Sequence, residues 1–295
     1  MPRFTEETFN NWRMPPSTSE QDKLDNSLRL VREAIREDPV LSKKSIEIFA
    51  QGSYANDTNV RLNSDIDVNV RLSDTVFTHV PDGETSEDYG YKDSSYSFAT
   101  FKSEVQSALI RKFGVGNITR NDKCITVKDS PTRVVTDVVP TFKYNRHDSK
   151  TTLHVGAKFI TDKGIPVICY PLQHIENGKA KNGRTQKRFK RVTRLYRRIR
   201  YKMIDDKVAV SDNITSFLLE CLVWNVPDRI FNNNDTWTER LRQSIIYLYE
   251  NTKEDSQCSD WGEVSELLYL FRGNRKWSRA DVNNYLVQMW NYLQF

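Results

Sequence analysis

Apolar residues recur at helical spacing early in the chain: Leu24, Leu28, Val31 and Ile35 share one face, which predicts an amphipathic helix. Ser17 or Thr18 can cap its start, and Pro39 follows its end. Upstream, Pro15 and Pro16 break any earlier short helix. A short strand is predicted over residues 45–50, ended by Gly52-Ser53. The period then falls to two. Ile66, Val68 and Val70 lie on one side and Asp65, Asp67 and Asn69 on the other, so residues 65–72 read as a strand with one buried face. Residues 79–97 are polar, carry Pro81, Gly83 and Gly90, and read as a long loop. Phe101, Val105, Leu109 and Ile110 predict a second helix ending near Gly114. Strands follow at 124–127 and 134–139, then a polar loop around 145–150.

Beyond about residue 170 the pattern is helical. Phe189, Val192, Leu195, Ile199 and Met203 form one stripe. Asp212 or Asn213 can cap a helix carrying Phe217, Leu218, Cys221 and Leu222, stopped near Pro227. Thr236 with Glu239, and Ser278 with Asp281, read as capping boxes, the second opening a last helix with Val282, Leu286, Met289 and Leu293. The expectation is an α+β core over residues 1–168 and a helical lobe over 169–295, with a ligand cleft between them.

Composition narrows the class. The chain has 295 residues, 38% hydrophobic and 28% charged, which excludes a disordered protein. Its apolar runs are too short to span a bilayer, and its first residues lack an apolar leader core, so a cytoplasmic protein with no membrane partner is expected. Cys124, Cys169, Cys221 and Cys258 lie far apart, against a disulfide framework or zinc ribbon. His154, Cys169 and His174 fit no common zinc spacing. Between residues 179 and 202 half the positions are Lys or Arg and none is acidic, so an anionic partner is expected. A solvated helix face with a few triphosphate contacts is the favoured reading. A nucleic-acid surface is less so, because Phe189, Tyr196 and Tyr201 are sparse stacking platforms.

The candidate chemistry lies in the acidic residues. Two carboxylates on one strand face repel, and a divalent cation would relieve them. Asp137 stands alone in the apolar run VVTDVVP, where a lone charge is costly. Placed together, Asp65, Asp67 and Asp137 would suit Mg²⁺ or Mn²⁺. Two such ions, about 3.5–4 Å apart, can hold an in-line phosphoryl or nucleotidyl transfer. Gly52 lets backbone approach a phosphate, and the Ser53 hydroxyl can bond its oxygens. Asp137 paired with Arg133 is the bland alternative.

GSYANDTNVRLNSDIDVNV followed by Asp137 resembles the signature of the polymerase-β-like nucleotidyltransferases. With HIENGKAKN, RFKRV and SFLLECLVWNVP, the chain resembles the CD-NTases, bacterial relatives of cyclic GMP-AMP synthase, also called SMODS synthases. That resemblance implies a nucleotidyltransferase core, a mixed sheet with flanking helices, joined to a helical lobe by a long spine helix. It implies a synthase of cyclic di- or trinucleotides that uses two metal ions. The substrates would be nucleoside triphosphates, ATP with at least one other. A separate effector protein would read the product in antiphage defence. It also implies a triphosphate tail held by a spine cation and a serine. Ser216 matches the serine and Phe217 a base contact. Arg197 stands where many relatives carry lysine, with Lys190 and Arg194 nearby. Two rivals remain: a synthase of linear oligonucleotides or a transferase to another acceptor, and a non-catalytic nucleotide- or RNA-binding module.

Overall fold

The computed structural model describes residues 2–61 and 65–295. Its strands are β1 (Ile46–Gln51), β2 (Ile66–His79), β3 (Ile118–Arg120), β4 (Ile125–Val127), β5 (Thr136–Ser149), β6 (Thr152–Ile160) and β7 (Pro166–Cys169). They form one mixed sheet. β1 pairs antiparallel with β2, and β2 pairs parallel with the long central β5. The first residues of β5 pair with β4, which continues to β3, and the later ones pair with β6, which continues to β7.

Helices α1 (Glu6–Trp12), α2 (Thr18–Arg36), α3 (Gly52–Ala55) and α4 (Phe98–Phe113) precede β3. The expected stripe of α2 is buried against the sheet, with Leu24, Val31 and Ile35 at most 1% exposed. Of its two candidate caps the structure uses Ser17, in a full capping box with Glu20. α4 buries Phe101, Val105 and Leu109 and stops at Gly114, whose φ of 82° is a left-handed value natural to glycine.

After β7 come α5 (Pro171–Arg184), α6 (Arg188–Asp205), α7 (Ser216–Asn225), α8 (Asp228–Asn232), α9 (Trp237–Asn251), α10 (Asp255–Cys258) and α11 (Arg279–Leu293). The α6 stripe Phe189, Val192, Leu195, Ile199 and Met203 is wholly buried in their core. Two capping expectations change. Thr215, not Asp212 or Asn213, caps α7 by accepting from Leu218 N–H. At α9 Thr236 caps without a box, because Arg242 and Gln243 engage the Glu239 carboxylate. Ser278 and Asp281 do form a complete box at α11.

The chain divides into two compact units that are not contiguous in sequence: Ser17–Ala55 with Ser64–Leu172, and Met1–Pro16 with Asn56–Asn63 and Gln173–Phe295. A single boundary at 168/169 does not describe this. α1 joins the helical unit because Phe9 is fully buried in its core and Glu6 accepts from the N–H groups of Trp237 and Thr238, at 2.6 and 2.9 Å, capping α9. β5 also outruns its expectation. Residues 145–149 are strand rather than loop, since Asn145 and His147 both bond Tyr91 at 2.8 Å and are buried despite their polarity. No described helix is long and apolar enough to cross a membrane.

Candidate active site

The sheet unit brings Gly52, Asp67 and Asp137 together. Asp67 and Asp137 are register partners on the parallel strands β2 and β5, so both side chains leave the same sheet face about 4.8 Å apart along the hydrogen-bonding direction. Gln51, the last residue of β1, is the register partner of Asp67 on the other side. The chain therefore turns into α3 directly beside that carboxylate. Gly52 has a left-handed φ of 66°, and a Cβ there would stand 2.2 Å from Asp67 Oδ2. Only glycine allows both the conformation and the approach.

Ser53, the second residue of α3, is half-buried, and its hydroxyl makes no hydrogen bond among the described residues. Asp65 lies exposed one residue before β2 rather than within it. Asp137 accepts a hydrogen bond from the hydroxyl of its β4 partner Thr126. Arg133 instead donates to the Lys128 carbonyl and lies over the Phe113 ring.

Among the described residues no three His, Cys, Asp or Glu side chains stand close enough to hold an ion by themselves. The in-register pair nevertheless fits Mg²⁺ or Mn²⁺. Such ions keep several waters and bind through one or two carboxylates plus substrate phosphates, not through all-protein cages.

In the helical unit, α6 grips the segment that follows α3. Arg194 donates to the Asn59 carbonyl at 3.2 Å and the Asp57 carbonyl at 2.7 Å, and pairs with the Asp57 carboxylate. Arg198 donates to the Arg61 carbonyl at 3.3 Å. Arg197 is 4% exposed. It reaches Thr58 Oγ1 at 3.5 Å, and its Nε has no partner among the described residues. Beneath it Glu220 accepts from Thr58 Oγ1 at 2.9 Å and pairs with His174 Nε2 at 3.0 Å. Burial pushes the Glu220 carboxyl up, but His174, Arg197 and Thr58 together hold it below the usual range. Lys190 is buried, and desolvation lowers its pKa, so its charge is less firmly held than that of an exposed lysine.

Ser216 is the first residue of α7, with its hydroxyl 3.3 Å from that of Tyr201. Phe217 is 40% exposed, its ring centroid 5.8 Å from that of His174. The basic stretch is thus only partly a solvated face: Lys181, Lys190, Arg194 and Arg197 are all buried. Sequence reasoning assigned no role to Thr58, Thr126 or Glu220 and weighed His174 only as a zinc ligand. Thr126 falls on the polar side of the short run 124–127, and Thr58, His174 and Glu220 lie within GSYANDTNV, HIENGKAKN and SFLLECLVWNVP, but their convergence is long-range.

Residues 176–294 match the family model of the cGAS/DncV-like nucleotidyltransferase C-terminal helical domain. The chain is 60% identical to the cyclic dipyrimidine nucleotide synthase CdnE of Cecembia lonarensis over 100% of both chains. It is 35% identical to the enzyme of the same name from Legionella pneumophila over 98% of each. The solved structure of the Elizabethkingia meningoseptica CdnE cyclic dinucleotide synthase with GTP and Apcpp is 32% identical and superposes with a TM-score of 0.84, covering 99% of this chain and 100% of that one.

Proposed function

The chain belongs to the CD-NTase family of nucleotidyltransferases, the cyclic nucleotide synthases, and from that premise we propose that it joins two pyrimidine nucleoside triphosphates into a cyclic dinucleotide. The in-register pair Asp67–Asp137 beside Gly52 carries the reaction type. The names of the two relatives support the pyrimidine choice.

Asp65, Asp67 and Asp137 are the proposed cation ligands. Mg²⁺ or Mn²⁺ bound there, as two ions, would neutralise triphosphate charge and acidify the attacking hydroxyl. Asp137 would be the ligand or base nearest that hydroxyl, able to take its proton. The hydroxyl oxygen of one nucleotide bonds the α-phosphorus of the other, the bond to the bridging oxygen breaks, and pyrophosphate leaves with that electron pair. A second, identical transfer closes the ring. Gly52 and Ser53 offer backbone and hydroxyl to phosphate oxygens. Lys190, Arg197 and Ser216 are the proposed contacts for the triphosphate tail, and Phe217 for a base. Antiphage signalling through a separate effector is the proposed setting.

The test is incubation with all four labelled ribonucleoside triphosphates and Mg²⁺ or Mn²⁺, then phosphatase treatment and separation. A phosphatase-resistant product formed from UTP and CTP, and absent from an Asp65→Asn/Asp67→Asn variant, is expected. A resistant product that requires ATP or GTP overturns the base choice. Phosphatase-sensitive oligomers overturn cyclisation.

A further inference from the structure

The chemistry proposed for Asp137 needs its carboxylate held in one orientation, and the strands beside it contain a device that does this. Thr126 is the register partner of Asp137 across the β4–β5 ladder, and its hydroxyl donates to Asp137 Oδ1. A threonine hydroxyl has one hydrogen and is free to rotate. Here its direction is fixed, because Asn121 Nδ2 donates to Thr126 Oγ1 at 2.8 Å, which leaves the hydrogen to point at Asp137. Asn121 sits on an exposed turn and would wander if unsupported.

It is supported from below. Lys102, on α4, is 2% exposed and spends all three of its N–H donors on this turn and its neighbour: the carbonyls of Asn121 at 3.1 Å and Asp122 at 2.8 Å, and Asp162 at 2.9 Å. The Asn121 N–H closes the turn on the Cys124 carbonyl at 2.9 Å. Buried polar groups that are fully paired rigidify what they touch.

We propose that Asn121 and Thr126 are positioning residues that fix the Asp137 carboxylate for cation binding, with Lys102 as their anchor. With Oδ1 engaged by Thr126, the plane of the carboxylate is set and lone pairs remain for the ion. Groups that orient a metal-ligating carboxylate typically change metal affinity by about 10–100-fold when removed. The inference rests on Asp137 being a ligand, and the experiment separates the two claims.

Two quantities are measured for wild type, Thr126→Val, Thr126→Ser and Asp137→Asn. One is Mn²⁺ binding to nucleotide-free protein, read by loss of the free-ion electron paramagnetic resonance signal. The other is the Mn²⁺ concentration giving half-maximal product formation. Thr126→Val should weaken both about tenfold while lowering kcat at saturating Mn²⁺ much less, and Thr126→Ser should restore them to within about threefold of wild type. A Thr126→Val protein matching wild type in both readouts overturns the positioning role if Asp137→Asn is impaired. If Asp137→Asn also matches wild type, the ligand reading itself falls. Melting temperatures without metal identify a Thr126→Val protein that is merely misfolded, and in that case Asn121→Ala, on the exposed turn that donates to Thr126, is read in its place: weakening of both readouts supports the positioning role and a match to wild type overturns it.

Discussion

Gly52 lies against the carboxylate of Asp67 so closely that a methyl group at Gly52 would meet Oδ2 at 2.2 Å. The left-handed backbone at Gly52 adds a penalty of about 1–2 kcal/mol for any residue with a Cβ. Gly52→Ala must therefore move Asp67, the α3 turn, or both. The expected outcome is at least a hundredfold loss of synthase activity with a stability loss of only about 1–3 kcal/mol. Product formation and urea denaturation measured side by side test this. Near-normal turnover would mean that Asp67 can shift without consequence, against the ligand role proposed for it.

Cys124 gives an independent view of Asp137. Burial, and then the Asp137 charge, push its thiol up to about 11. At neutral pH the thiolate is scarce, so alkylation should be slow and should rise about tenfold per pH unit up to that value. Removing the neighbouring charge lowers the pKa, so Asp137→Asn should speed Cys124 alkylation at pH 8. Peptide-resolved iodoacetamide labelling measures this. An unchanged rate would place the carboxylate too far from Cys124 to act on it.

Much of this site was legible in the chain because its parts are local. The alternation around Ile66, Val68 and Val70 marked β2, and Gly-Ser before it marked the turn. Asp137 stood out as a charge among valines. Their convergence depends on a long-range fact, the parallel register of β2 and β5, which no local pattern encodes. The same limit hid the end of β5. Asn145 and His147 read as loop residues, yet Tyr91, more than fifty residues away, bonds them both. The domain boundary failed for a related reason: Arg194 and Arg198 tie residues 57–61 to the helical unit, although Gly52–Ala55 belongs to the other. Helices with a continuous stripe, such as α6, survived because their burial pattern is written every three or four residues.

Glu220 tests how the helical unit holds its internal charges. It is 3% exposed, is bonded by Thr58 and His174, and shares its field with Arg197. Removing one member of a buried ionic set leaves the others uncompensated, at a cost of about 3–5 kcal/mol. Glu220→Ala should lose stability on that scale in urea denaturation. Glu220→Gln, which keeps an acceptor for Thr58, should lose distinctly less. Equal losses for the two would show that shape, not charge pairing, is what the position requires.

Asp162 supplies a pH signature for the anchor around Lys102. Its hydrogen bond from Arg120, and then the bond and charge of Lys102, outweigh its desolvation and depress its pKa to about 2. In the unfolded chain an aspartate titrates near about 3.9. The depressed folded value means that the ionised group stabilises the fold fully above about 3.9, and that this stabilisation is lost as pH falls through 2. Asp162→Asn removes it at every pH. Because Asp162 is more than a third exposed, solvent screening holds the expected drop in Tm at neutral pH to about 2–4 °C. The gap between wild type and variant should stay constant from pH 8 to pH 5 and start to close only below about pH 4. Calorimetry across that range checks it. A gap that closed between pH 8 and pH 5 would assign the effect to a different group and remove Asp162 as the partner that keeps Lys102, and through it the Asn121 turn, in place.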